Sequence, residues 1–184
     1  RAHTLAETLD VNRRILDALA GRPVTGFVNA GGGAAQALGE RGLRAVLHLW
    51  HGRGAVLGNH TFSHPDLNST APADYIADIV RGEPAIEQAS GRRPAYFRHP
   101  FLHAGPTAEI RRQVEQFLAG RGYTIAPVTL DNSDWMYAVL YQRALRQDPP
   151  LAARLRADYL AYMESIFAFF EARSVEVVGG EFPQ

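Results

Sequence analysis

At 184 residues, 46% of them hydrophobic and 21% charged, the chain has the size of one domain and can bury a core without staples. Lys plus Arg and Asp plus Glu each number 19, so no net charge marks it for nucleic acid or an anionic membrane surface. With no cysteine, disulfides and thiolate metal sites are excluded, and any transition metal must be held by His and carboxylate.

Leu5, Leu9, Ile15, Leu16 and Leu19 follow helical spacing, and Gly21 ends that segment. "PVTGFVN" (23–29) is short, apolar and β-rich, and runs into the loop "AGGG". A helix follows to about Trp50, with an interruption expected near Gly42. "AVLGNH" reads as a second strand. Ser69 or Thr70 is the predicted cap of the next helix, which has Pro72 in its first turn and runs towards Ser90, with a bend at Gly82 and Pro84. "AYFRHP" is strand-like, and Ile110, Val114, Phe117 and Leu118 mark another amphipathic helix. "YTIAPVTLD" (123–131) is the fourth strand candidate, ending at "DNSDW". A long helix on Leu151, Leu155, Tyr159, Tyr162, Ile166 and Phe170 precedes the closing "VEVVGGEFPQ".

Strands alternating with helices predict an α/β fold with a mostly parallel sheet or barrel, one domain over 1–184. No apolar run approaches the ~18 residues of a membrane span. The sequence begins at Arg1 without a signal-like segment, so the expectation is a processed chain or an internal piece.

Chemistry in such folds gathers at the C-terminal ends of strands, and three polar clusters fall there. The first, "GNHTFSHPDLN", holds His60 and His64. In one helical turn an i, i+4 pair points both imidazoles the same way, as two adjacent metal ligands require. Thr61 stands where an H-E-x-x-H motif would carry its base, so none is supplied locally. The spacing alone also fits a capped turn with two exposed imidazoles. The strand before it and the Gly58, Asn59, Ser63 and Pro65 context favour metal.

The second cluster, "RHPFLH", puts Arg98 just past a strand, where its planar fork could fix a carboxylate or form an ordinary ion pair. Pro100 between His99 and His103 argues against a helical turn there. The third, "DNSDW", offers Asp131 and Asp134. Either could pair with Arg98 or orient a histidine; Asp134 also suits a helix N-cap.

As a set, "HTFSH", "RHPF" and "DNSDW" resemble motifs of the polysaccharide deacetylase family, carbohydrate esterase family 4 or NodB-homology domain, and the resemblance runs over nearly the whole chain. It implies a distorted (β/α) barrel with an Asp–His–His metal site, usually zinc. His60 and His64 would be the imidazole ligands to Zn2+ or another divalent transition metal. Arg98 would hold the catalytic base, with Asp131 as its neighbour, and Asp134 would tune a general-acid histidine. Trp135 and Phe101 would shape the substrate site. The implied activity is metal-assisted hydrolysis of acetyl groups on N- or O-acetylated carbohydrate, and the usual substrates imply a secreted or cell-envelope setting.

Two family motifs are missing. No Asp-Asp pair occurs in the sequence, and no apolar strand ending in His follows the last helix. The expectation is therefore a barrel incomplete at both ends, whose unpaired strand edges would favour self-association. If other residues substitute, Asp66, His99 or Asp131 must supply the third ligand. Without a general acid, small acyl esters should be hydrolysed in preference to amides, because an alkoxide leaves more easily. The alternative readings are a non-catalytic module of the same fold that binds glycan or metal, and a related metal amidohydrolase acting on a small C–N substrate.

Overall fold

The structure, a computed structural model, describes residues 4–179. Where the sequence predicts one domain over 1–184, the chain divides into two compact units, Arg1–Pro127 and Val128–Gln184.

The first unit is α/β. Helix α1 (Leu5–Ala18) starts at a capping box in which Thr4 and Glu7 satisfy each other's backbone N–H groups. Strand β1 (Thr25–Val28) leads to α2 (Gly33–Gly52), then β2 (Val56–Asn59), α3 (Pro72–Ser90), β3 (Tyr96–Phe97), α4 (Ala108–Gly120) and β4 (Thr124–Ile125). The strands form one parallel sheet in the order β1-β2-β3-β4, with Val28 opposite Asn59, Asn59 opposite Phe97 and Phe97 opposite Ile125. Among the described residues β1 and β4 are its edges, so the sheet is an open arc of a distorted barrel.

Two apolar clusters hold the helices to this arc. Tyr75 and Ile79 of α3, Val114 and Leu118 of α4, Phe97 of β3, Leu67 and Tyr123 form one; Val28, Leu47, Leu57, Ile86 and Ala89 form the other. Each fully buried Leu, Ile or Phe contributes roughly 1.5–3 kcal/mol, enough to fix strand ends that carry little hydrogen bonding of their own.

Several boundaries differ from the sequence reading. The break in α2 falls at Gly39 (φ 66°), not Gly42, which is buried against Leu38. Only glycine enters that left-handed region without strain. Ala71, not Ser69 or Thr70, precedes α3, and the helix continues through Gly82 and Pro84. The fourth strand stops at Ile125 rather than Asp131, because Pro127 has no N–H to offer the ladder.

In the second unit two helices replace the single one expected, α5 (Asp134–Gln147) and α6 (Pro149–Val178). Asp148 separates them, its carboxylate accepting from the Leu151 N–H at 2.9 Å while Pro149 opens α6. Tyr137 packs against Tyr159 and Tyr162 across the hairpin. Of the closing segment "VEVVGGEFPQ", residues 180–184 lie outside the described ones.

Candidate metal centre at the ends of β2 and β3

His60 follows the last residue of β2, and its backbone N–H donates to Val28 at the end of β1. The segment from His60 to His64 is not a helical turn, as the spacing suggested. It is a loop in which Thr61 and His64 both take positive φ, 66° and 61°. Both are non-glycine residues in a costly region, and such strain persists only where the surroundings over-determine it.

Asn59, the Thr61 hydroxyl and Asp78 supply those surroundings. Thr61 is fully buried, and its N–H donates to the Asn59 carboxamide at 2.8 Å. The Thr61 hydroxyl accepts from the His64 N–H at 3.0 Å. Asp78 of α3 accepts from the N–H groups of Phe62 and Ser63 and from the Ser63 hydroxyl, at 2.8–2.9 Å.

The result is convergence by a route other than a helix. Nε2 of His60 and Nε2 of His64 lie 3.2 Å apart, with the rings nearly perpendicular. Two nitrogens each ~2.0–2.1 Å from one tetrahedral ion would be about 3.3 Å apart, so the spacing fits a shared divalent ion. Nδ1 of His60 faces the Arg98 carbonyl at 2.8 Å, and a carbonyl can only accept. The proton is therefore on Nδ1, and Nε2 presents its lone pair towards His64 Nε2, the side on which a shared ion would bind. Burial lowers the His60 pKa, against the opposing pull of the Arg98 carbonyl, and so favours the neutral ring that binds metal.

The other predicted residues separate into two sets. Among the described residues, Arg98, just past β3, has no carboxylate among its hydrogen-bond partners. It reaches the carbonyls of Ala126 and Pro127 at 3.3–3.4 Å and lies over the Phe27 ring at 4.3 Å. Phe101 packs edge-on to His64 with ring centroids 4.6 Å apart and keeps 56% of its surface exposed. It occupies a short 3₁₀ turn, Pro100–Leu102, in which Phe101 and Leu102 both have positive φ. Asp131, Asp134 and Trp135 belong to the second unit. There Asp131 accepts from the Asn132 N–H, Asp134 opens α5 without capping it, and Trp135 is 67% exposed.

The substitutes proposed for the third ligand are engaged elsewhere. Asp66 accepts from His103 Nδ1 and from the Asn68 N–H, each at 2.8 Å. These contacts, the Asn68 N–H foremost, hold its carboxyl below the usual range. His99 is buried, and its Nδ1 is hydrogen-bonded to the Tyr75 hydroxyl at 3.0 Å. Among the described residues no group of three or more His, Cys, Asp or Glu is placed to hold a metal ion. The donor set is thus two imidazoles, a partial fit. The hydrogen-bonding roles of Asn59 and Asp78 and the pairing of Asp66 with His103 carry no sequence signal, since only the fold brings these partners together.

Comparison with known proteins agrees with the architecture. The polysaccharide deacetylase model matches residues 4–120. A chitin deacetylase of Colletotrichum lindemuthianum is 36% identical over 84 residues, 45% of this chain and 31% of that protein. The solved structure of the chitin deacetylase from that fungus superposes with a TM-score of 0.55 at 26% identity, covering 80% of this chain and 58% of that one. A family 4 carbohydrate esterase from Streptomyces lividans gives 0.54 at 25% identity, with coverages of 71% and 64%. The chain spans less than two thirds of the length of each. An open parallel arc, a histidine loop after its second strand and a family match over most of the first unit lead to one conclusion: the chain belongs to the polysaccharide deacetylase family.

Proposed function

We propose that this chain is the metal-binding part of a hydrolase that removes acetyl groups from N- or O-acetylated carbohydrate. The observation that carries the reading is the 3.2 Å approach of the His60 and His64 Nε2 atoms, with His60 Nδ1 committed to the Arg98 carbonyl. His60 and His64 would hold zinc or another divalent transition metal. Such an ion, when bound, polarises an acetyl carbonyl and lowers the pKa of water. The exposed Phe101 ring beside His64 offers an apolar face to the acetyl methyl or to a sugar ring. The Arg98 guanidinium, its pKa lowered by burial, contributes a positive charge at the neighbouring strand end. Roles for Asp131 and Asp134 in proton handling, and for Trp135 in shaping the substrate site, rest on the "DNSDW" resemblance alone.

The 184-residue chain should favour esters over amides, including simple acyl esters, since no group is assigned to protonate an amine leaving group. The test is acetate release from an acetylated chitooligosaccharide and from a chromogenic acetyl ester, with and without chelator. The reading predicts chelator-sensitive turnover that is lost in His60→Ala. One observation favours a second reading, a non-catalytic module of the same fold: the imidazole pair has no third ligand among the described residues. That module would bind the oligosaccharide with chelator present and release no acetate.

A further inference from the structure

A chain of buried polar groups starts at the surface of α4 and ends on the strained histidine loop. Arg121, just after α4, donates to both carboxylate oxygens of Glu83 at 2.6–2.7 Å. Glu83 lies within α3 and is only 4% exposed, with Arg93 at 3.5 Å. Its Oε1 also accepts from the Tyr123 hydroxyl at 2.9 Å. The Tyr123 oxygen then accepts from Asn59 Nδ2 at 2.8 Å, and the same amide nitrogen donates to the Ile79 carbonyl at 3.0 Å. Asn59 Oδ1 faces the Thr61 N–H.

The direction of every bond in this series is forced. A carboxylate paired with arginine only accepts, so Tyr123 must donate to it. The phenol oxygen has then only acceptor capacity left for Asn59. The carboxamide must present its NH2 to Tyr123, and its oxygen is thereby turned to Thr61. A flipped amide would set two donors face to face at Thr61. Glycine at 82 lets α3 approach this point, since a Cβ there would stand 3.1 Å from the Thr61 carbonyl carbon and 3.2 Å from Asn59 Oδ1.

We propose that Asn59, oriented by Tyr123, Glu83 and Arg121, is the positioning residue that locks the left-handed turn at Thr61 and so brings the His60 and His64 Nε2 atoms together. The inference deepens the metal reading and rests on it for its functional consequence, while the locking of the loop stands on the metal-free chain. Asn59→Asp is isosteric but replaces the amide donors with acceptors, against the Tyr123 and Ile79 oxygens. Tyr123→Phe keeps the carboxamide and removes the group that orients it.

The experiment is residue-resolved amide hydrogen exchange on the metal-free 184-residue chain, with zinc affinity measured in parallel. In Asn59→Asp, the Thr61 and His64 amides should exchange about tenfold faster while Val114 and Leu118 in α4 change by less than about twofold. Zinc affinity should fall about tenfold, and Tyr123→Phe should move the same readouts about threefold. Should Asn59→Asp not fold, Tyr123→Phe carries the test alone. Unchanged exchange at Thr61 and His64 in a folded variant overturns the proposal. So does equal acceleration at Val114 and Leu118, which is a general loss of stability. If the parent chain takes up no zinc, the metal reading fails, and the exchange rates still decide whether Asn59 locks the loop.

Discussion

The Arg98 carbonyl accepts from Nδ1 of His60 at 2.8 Å, tying the histidine loop after β2 to the backbone that follows β3. The Arg98 N–H returns the link by donating to the Asn59 carbonyl at 3.1 Å. What orients the His60 imidazole is therefore the main chain at position 98, not the guanidinium.

Arg98→Ala should accordingly leave zinc stoichiometry intact. It removes the guanidinium from the Phe27 ring and from the Ala126 and Pro127 carbonyls, at a cost of about 1–2 kcal/mol in stability. Urea denaturation alongside metal analysis checks both halves. Loss of zinc from a folded Arg98→Ala would mean that the guanidinium itself orients the site.

Stability should fall as pH drops from 6.5 towards 4. Burial pushes His99 from 6.5 down to about 4, with the nearby His60 adding to the effect. Between those values the unfolded chain binds a proton that the folded chain does not, so stability is present above 6.5 and lost as pH falls. The loss amounts to about 3 kcal/mol over the whole window. Burial lowers His60 in the same direction in the metal-free chain. Urea midpoints across this range should show a shallower pH slope in His99→Leu than in the parent. Equal slopes would remove His99 from the account.

Gly82→Ala sets two effects against each other. Alanine in a helix interior gains up to about 1 kcal/mol over glycine. Its Cβ, however, would meet the buried Thr61 backbone at 3.1 Å, and that backbone is already held in a left-handed conformation. The contact should win, with a net loss of roughly 1–3 kcal/mol. A raised melting temperature would show that the loop can yield.

Arg121→Ala should destabilise more than an ordinary surface substitution, because among the described residues it leaves the buried Glu83 carboxylate with Tyr123 and the more distant Arg93. Burial raises the Glu83 pKa, but its hydrogen bonds to Arg121 and Tyr123 outweigh that, and the group stays ionised. Breaking such a pair from one side costs about 3–5 kcal/mol, and less here because the Arg121 side chain is itself 30% exposed. Glu83→Gln combined with Arg121→Ala should recover part of the loss in denaturant titrations. No recovery would mean that the pair is not what Arg121 stabilises.

The α/β architecture was legible because period-2 and period-3.6 apolar patterns alternate cleanly as far as Ile125. "HTFSH" was legible as a paired-imidazole motif from its position after a strand. Its geometry was not, since the loop with positive φ at Thr61 and His64 is held by Asn59, itself bonded to the distant Tyr123 and Ile79, and by Asp78 of α3. The β-rich composition of 123–131 suggested a strand running to Asp131, but pairing ends where Pro127 interrupts the ladder. Helix α5 was missed because Trp135, Val139 and Leu140 are exposed, which blurs the one-sided pattern that betrays a helix. Pairs such as Asp66–His103 and Tyr75–His99 carry no sequence signal, being set by where loops land on the sheet.

His60 and His64 together are proposed to hold one divalent ion. Calorimetric titration of zinc into the parent chain, His60→Ala and His64→Ala, each checked for folding by circular dichroism, tests it most directly. One zinc per parent chain and no measurable binding in either variant are expected. Binding in His60→Ala and His64→Ala with the affinity of the parent would contradict it.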